Sequence, residues 1–229
     1  MTEAGLALIL TTVITALVHT LIPDHWLPFV LVSRAERWTV RRTLVLTAAS
    51  GTLHVLVSLG LGLSLVLAGW GAEQAVMGLA ETLQSLTGWL LVSFGLVYMI
   101  WFLLRGGHVH SFGIHPHHDP KDPDPPRAPG SLLKELSGYT LTFIVGFNPC
   151  ILVIPCVYGA AQMSTATLVA VAAAFAVFTV VPMVMVTRLG LKGTARLTSP
   201  FLTRYGEALS GGLIALTGMV VLLVEIRAR

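Results

Sequence analysis

Three short stretches carry the residues able to do chemistry in an otherwise apolar chain. The first is His19-Thr-Leu-Ile-Pro23-Asp24-His25, with two imidazoles and a carboxylate around a proline. The second is Asn148-Pro149-Cys150-Ile-Leu-Val-Ile-Pro155-Cys156, which holds both cysteines of the protein. The third is a polar stretch with five histidines, His108, His110, His115, His117 and His118. Imidazole plus carboxylate suits nickel, cobalt or zinc. A short histidine-rich tract is a pattern for gathering metal ions. A further histidine, His54, stands alone in an apolar run and could lie beside the first cluster.

On a straight helix these groups would not meet. At 100° per residue, His19 and Asp24 lie about 140° apart, and His19 and His25 about 120° apart. Pro23 lacks an amide donor and clashes with the preceding turn, so it predicts a broken helix that can bring the groups together. Pro149 and Pro155 predict the same for the second stretch. On an intact helix Cys150 and Cys156 would be separated by about 240°, badly placed for a mutual disulfide.

The elements that must position these residues are membrane helices. Apolar residues make up 55% of the chain and charged ones 11%, against roughly a quarter charged in a soluble domain. The apolar residues fall in blocks of about 20, the length that crosses a bilayer as a helix. We place six spans at residues 5–31, 43–70, 76–104, 138–163, 166–189 and 205–226, with 26–32 as a possible re-entrant piece. The fold class expected is all-α, with discontinuous first and fourth spans. Residues 1–104 form one three-helix unit, 105–135 a His/Pro-rich cytoplasmic linker, and 136–229 a second three-helix unit. An odd number of spans per half makes the two copies inverted. Asp24 and Cys150 then occupy matching places. Thr87-Gly88 with Gly95 matches Ser210-Gly211 with Gly218.

Twelve Lys and Arg fall on one side (Arg34, Arg37, Arg41, Arg42, Arg105, Lys121, Arg127, Lys134, Arg188, Lys192, Arg196, Arg204), against Arg227 and Arg229 on the other. Positive charge stays in the cytoplasm, so both termini are expected outside a plasma or inner cell membrane. The N-terminus has no basic segment before its apolar run, so a removable signal peptide is not expected. A nucleotide-binding Gly-rich Lys loop is absent, which leaves no motif for an ATP-driven machine. An enzyme is not expected, and neither is a nucleic-acid partner. The partners expected are lipid, a metal ion and further copies of the chain.

The His19-x4-Asp24-His25 pattern resembles the signature of the nickel–cobalt transporters, and the His-rich linker resembles that of their efflux branch. The Pro149-Cys150 element is similar to a Pro-Cys-Pro element of the same branch, although isoleucine follows Cys150 here. The resemblance implies transport of a divalent transition metal as substrate, with no resident cofactor. It implies metal ligation by His19, Asp24 and His25, and by Cys150 from the opposite half. Two other functions compete. One is a thiol–disulfide electron carrier of the same superfamily, which needs two cysteines able to approach. The other is an exporter of a small anion, coupled to protons through the intramembrane His and Asp.

Overall fold

The computed structural model describes residues 2–104, 130–195 and 200–228. The five linker histidines, His108, His110, His115, His117 and His118, lie outside the described residues. The described residues form eight α-helices and no strand: α1 (Glu3–Leu21), α2 (Leu27–Ala35), α3 (Val40–Ala68), α4 (Glu73–Leu104), α5 (Gly130–Gly146), α6 (Val153–Met163), α7 (Thr165–Ala195) and α8 (Pro200–Ala228). Four of them contain stretches long and apolar enough to cross a membrane: Glu3–Leu21, Val40–Ala68, Glu73–Trp101 and Thr165–Gly193. The chain is a multi-pass membrane protein, helical throughout the regular structure of its described residues.

Where helices begin and end follows from local chemistry. Thr2 caps α1 by accepting from the Gly5 amide at 3.2 Å, and Thr39 caps α3 by accepting from the Arg42 amide at 3.3 Å. Ile22, the residue before Pro23, is extended at φ −64° and ψ 131°, the region that a following proline enforces. Helix α1 therefore stops at Leu21. Pro28 stands in the first turn of α2, where its missing amide leaves no bond unmade. The second break, 147–152, contains Pro149 and separates α5 from α6. Pro155, expected from sequence to break the helix, instead sits in the first turn of α6, where proline is tolerated. Helix α5 begins at Gly130, within the stretch read from sequence as linker.

The outward faces are apolar. Leu6, Leu10, Ile14, Val18 and Leu21 form an exposed stripe along α1, and Leu213, Leu216, Val220 and Leu223 form another on α8. Such a surface requires lipid. Several buried hydroxyls return to their own helix: Thr12 donates to the Leu8 carbonyl at 2.8 Å and Thr47 to the Thr43 carbonyl at 2.9 Å. This satisfies polar groups where water is absent.

Helix α3 lies inside the bundle against α5, α6 and α7, while α4 packs along α8. Glycines allow the closest approaches. A Cβ on Gly62 would fall 2.8 Å from the Val157 Cβ, so α3 and α6 touch there without one. Gly88 faces Gly218, and Gly95 faces Gly211. This pairing runs in opposite directions along the two helices, so α4 and α8 cross antiparallel.

Candidate functional site

The two breaks meet on α3. His19 is in the last turn of α1, and the chain then turns back through Pro23. The return brings the Nε2 atoms of His25 and His19 to 2.8 Å, with ring centroids 4.5 Å apart and nearly perpendicular. The separation expected on a straight helix is thus removed by the break. Asp24 Oδ1 lies 2.8 Å from His25 Nδ1, at ion-pair distance. Asp24 is 8% exposed and His25 1%.

His54 enters from the middle of α3. Its ring is 5.5 Å from that of His19 and 4.9 Å from that of His25, measured between centroids. Its Nδ1 makes a short hydrogen bond to the main-chain carbonyl oxygen of Asn148, in the second break. With Nδ1 acting as donor, Nε2 keeps its lone pair. That atom is buried and has no hydrogen-bond partner.

Cys150 completes the group from the α5–α6 break. Its amide donates to Ser58 Oγ at 2.8 Å, and the Ser58 hydroxyl donates to the His54 carbonyl at 2.7 Å. Ligand atoms of His19, His54 and Cys150 all lie within 4.8 Å of one another. Cys150 and Cys156 are both free, buried thiols and belong to one apolar cluster with Ala16, Val153, Val157 and Phe175.

The structure therefore brings together His19, Asp24, His25, His54 and Cys150, the five membrane residues singled out from sequence. Ser58 and the Asn148 carbonyl, which hold the second break to α3, were not foreseen. Ser58 is one helical turn beyond His54, so the 54/58 spacing was the available signal. The 240° separation of the cysteines does not apply, because Cys150 precedes α6 and only Cys156 lies within it.

The family model described as cytochrome C biogenesis protein transmembrane region matches residues 54–220. The match covers more than half of the chain, and the protein belongs to this family of transmembrane thiol–disulfide transporters. No curated protein and no solved structure matches it.

This corrects the nickel–cobalt identification and the metal-ion transport assigned with it. The His19-x4-Asp24-His25 pattern that carried the resemblance lies wholly before residue 54, outside the matched segment. Ionisable residues at membrane depth mark pathways and relays of several kinds, so a short His/Asp pattern does not specify what is carried. The broader pattern of α3 through α8 points to cytochrome c biogenesis and thiol–disulfide transport, the competing function read from the sequence.

Proposed function

We propose that Cys150 and Cys156 are the redox pair through which the chain passes reducing equivalents across the membrane. The observation that carries this is the break at 147–152. It takes Cys150 off the helix that bears Cys156 while both stay in one buried cluster. Two thiols lose two electrons and two protons to form a disulfide. A reduced partner dithiol on one side of the membrane returns them by exchange through a mixed disulfide, and an oxidised partner takes them on the other. His19 and His54, next to Cys150, hold or release the thiol proton in this reading. The chain is a carrier and not an enzyme, and exchange between thiols needs no bound cofactor.

Alternating exposure of such a buried pair requires a bundle that rocks. We read the chain as two inverted halves, α1–α4 and α5–α8, with the broken helices α1/α2 and α5/α6 as the paired discontinuous spans. Several features support this. Both breaks fall at the same place in each half. The contact of α1 with α7 has its counterpart in that of α5 with α3. The matching glycine motifs of α4 and α8 face each other in antiparallel register. Both termini lie outside in this arrangement and the 105–135 segment is cytoplasmic.

The test is thiol titration of detergent-purified protein after reduction and after oxidation by a protein disulfide. Two titratable thiols when reduced and none when oxidised are expected, with the loss blocked in Cys150→Ser and in Cys156→Ser. Two free thiols persisting after oxidation, in protein unfolded for the titration, would overturn the pairing.

A further inference from the structure

We infer that His19, His54 and Cys150, with His25 beside them, form a binding site for a resident thiolate-preferring metal ion, zinc(II) or copper(I). This ion is not cargo. The inference rests on the thiol–disulfide reading only for its consequence, described below.

Four observations carry the site. Donor atoms from α1, from α3 and from the α5–α6 break converge within 4.8 Å. Two imidazole nitrogens, His19 Nε2 and His25 Nε2, face each other at 2.8 Å. The His54 Nε2 atom is buried with no partner in the protein, a costly state unless something supplies a bond. Finally, an acceptor stands behind the outer nitrogen of two of these imidazoles, in the manner that prepares a ligating histidine. His54 Nδ1 is held by the Asn148 carbonyl. His25 Nδ1 stands 2.8 Å from Asp24 Oδ1, at ion-pair distance and without hydrogen-bond geometry. A carboxylate or carbonyl behind a ligating histidine fixes its tautomer and turns the other nitrogen toward the ion.

The donor chemistry selects the ion. Two or three imidazoles and one thiol favour soft or borderline ions that accept three or four ligands, and disfavour magnesium and calcium. Binding replaces the Cys150 thiol proton by the metal and releases that proton, and no electron moves. The Asp24 carboxylate offsets part of the added positive charge in a region without water.

A sulfur bound to the metal is not free to join a disulfide. An occupied site therefore holds Cys150 reduced, and oxidation to the Cys150–Cys156 disulfide, with two electrons passing to a partner disulfide, expels the ion. Metal occupancy and thiol oxidation exclude each other at one atom.

The test uses the full chain, reduced, purified without an added histidine tag, and equilibrated with zinc alone or with copper(I) alone. Metal content and affinity are compared among the wild type, His54→Gln, Cys150→Ser and Cys156→Ser. The linker histidines are common to all four proteins, so their contribution cancels. The wild type and Cys156→Ser should each hold one ion more than His54→Gln and Cys150→Ser. Asp24→Asn should bind about 10–100-fold more weakly, as loss of such a supporting carboxylate does elsewhere. X-ray absorption on the wild type, which requires no variant to fold, should show one sulfur bound to the metal together with imidazole. A spectrum with nitrogen and oxygen only, or equal metal content in all four proteins, would overturn the site. The two readings fail separately: Cys156→Ser abolishes disulfide formation and leaves metal binding intact.

Discussion

Ser58 holds Cys150 in place through the main chain: the Cys150 amide donates to Ser58 Oγ at 2.8 Å, one turn of α3 beyond His54. The hydroxyl spends its proton on the His54 carbonyl at 2.7 Å, so its oxygen is available to accept. One short side chain on a regular helix thereby satisfies an amide that the broken helix leaves without a partner.

Ser58→Ala tests this tether. The substitution leaves the Cys150 amide unsatisfied at a buried position, which costs about 1–3 kcal/mol. The thermal midpoint in detergent should fall and Cys150 should react faster with a thiol reagent. Ser58→Thr keeps the hydroxyl and should retain most of both properties. An unchanged midpoint and unchanged reactivity in Ser58→Ala would show that the second break is held elsewhere.

Gly62 tests the approach of α3 to α6. Alanine is the better helix former by about 1 kcal/mol, but its methyl group would stand 2.8 Å from the Val157 Cβ. Overpacking of this kind costs roughly 1–3 kcal/mol, so the clash outweighs the propensity. Gly62→Ala should lower the unfolding temperature, and Val157→Ala added to it should recover part of the loss. Gly60, two residues earlier, has nothing within 4 Å of a built Cβ. Gly60→Ala should therefore cost nothing measurable. Equal effects at the two positions would contradict the packing described.

The sequence revealed the helices and their breaks because their causes are local. Blocks of apolar residues specify helices in lipid, and Pro23 and Pro149 stop them whatever surrounds them. It also marked the chemically capable residues, since His19, Asp24, His25, His54 and Cys150 are expensive to place in an apolar interior. The partners of those residues were hidden. Ser58 is a common membrane-helix residue, and the Asn148 carbonyl exists at every position of every chain. The function was misread for a related reason. The weight fell on a local His/Asp pattern, whereas the family match runs over residues 54–220 and leaves that pattern out. Pro155 shows the same limit from the other side: a proline breaks a helix or opens one according to where the preceding chain has already turned.

The glycines joining α4 to α8 should be less forgiving than Gly62. A Cβ on Gly218 would lie 2.8 Å from the Gly88 carbonyl oxygen and 2.8 Å from the Val92 amide nitrogen. On Gly211 it would lie 2.7 Å from the Gly95 oxygen and from the Met99 nitrogen. These are main-chain atoms, which cannot rotate away as a side chain can. Gly211→Ala and Gly218→Ala should each reach the upper end of the roughly 1–3 kcal/mol overpacking range. Thermal unfolding of the purified variants measures this, with Gly78→Ala as the control, since Gly78 has no atom within 4 Å of a built Cβ. Wild-type stability in Gly218→Ala would exclude close packing of α4 on α8 in the membrane.

The orientation of the protein gives the last prediction. The Arg34 guanidinium donates to the Leu191 carbonyl at 2.7 Å, and the Tyr98 hydroxyl donates to Glu36 at 2.8 Å. The basic turn between α2 and α3, the end of α4 and the end of α7 therefore share one end of the bundle. Chain order puts the start of the linker at that same end, beyond α4. The Lys and Arg gathered there should keep it in the cytoplasm, since basic segments resist translocation. In a background carrying Cys150→Ser and Cys156→Ser, single cysteines at Thr2→Cys and His115→Cys report the two sides. An impermeant maleimide applied to intact cells should label Thr2→Cys at once, and His115→Cys only after permeabilisation. The reverse pattern would invert the orientation. Labelling of both in intact cells would place the N-terminus and the linker on one side and overturn the proposed topology of three crossings before the linker.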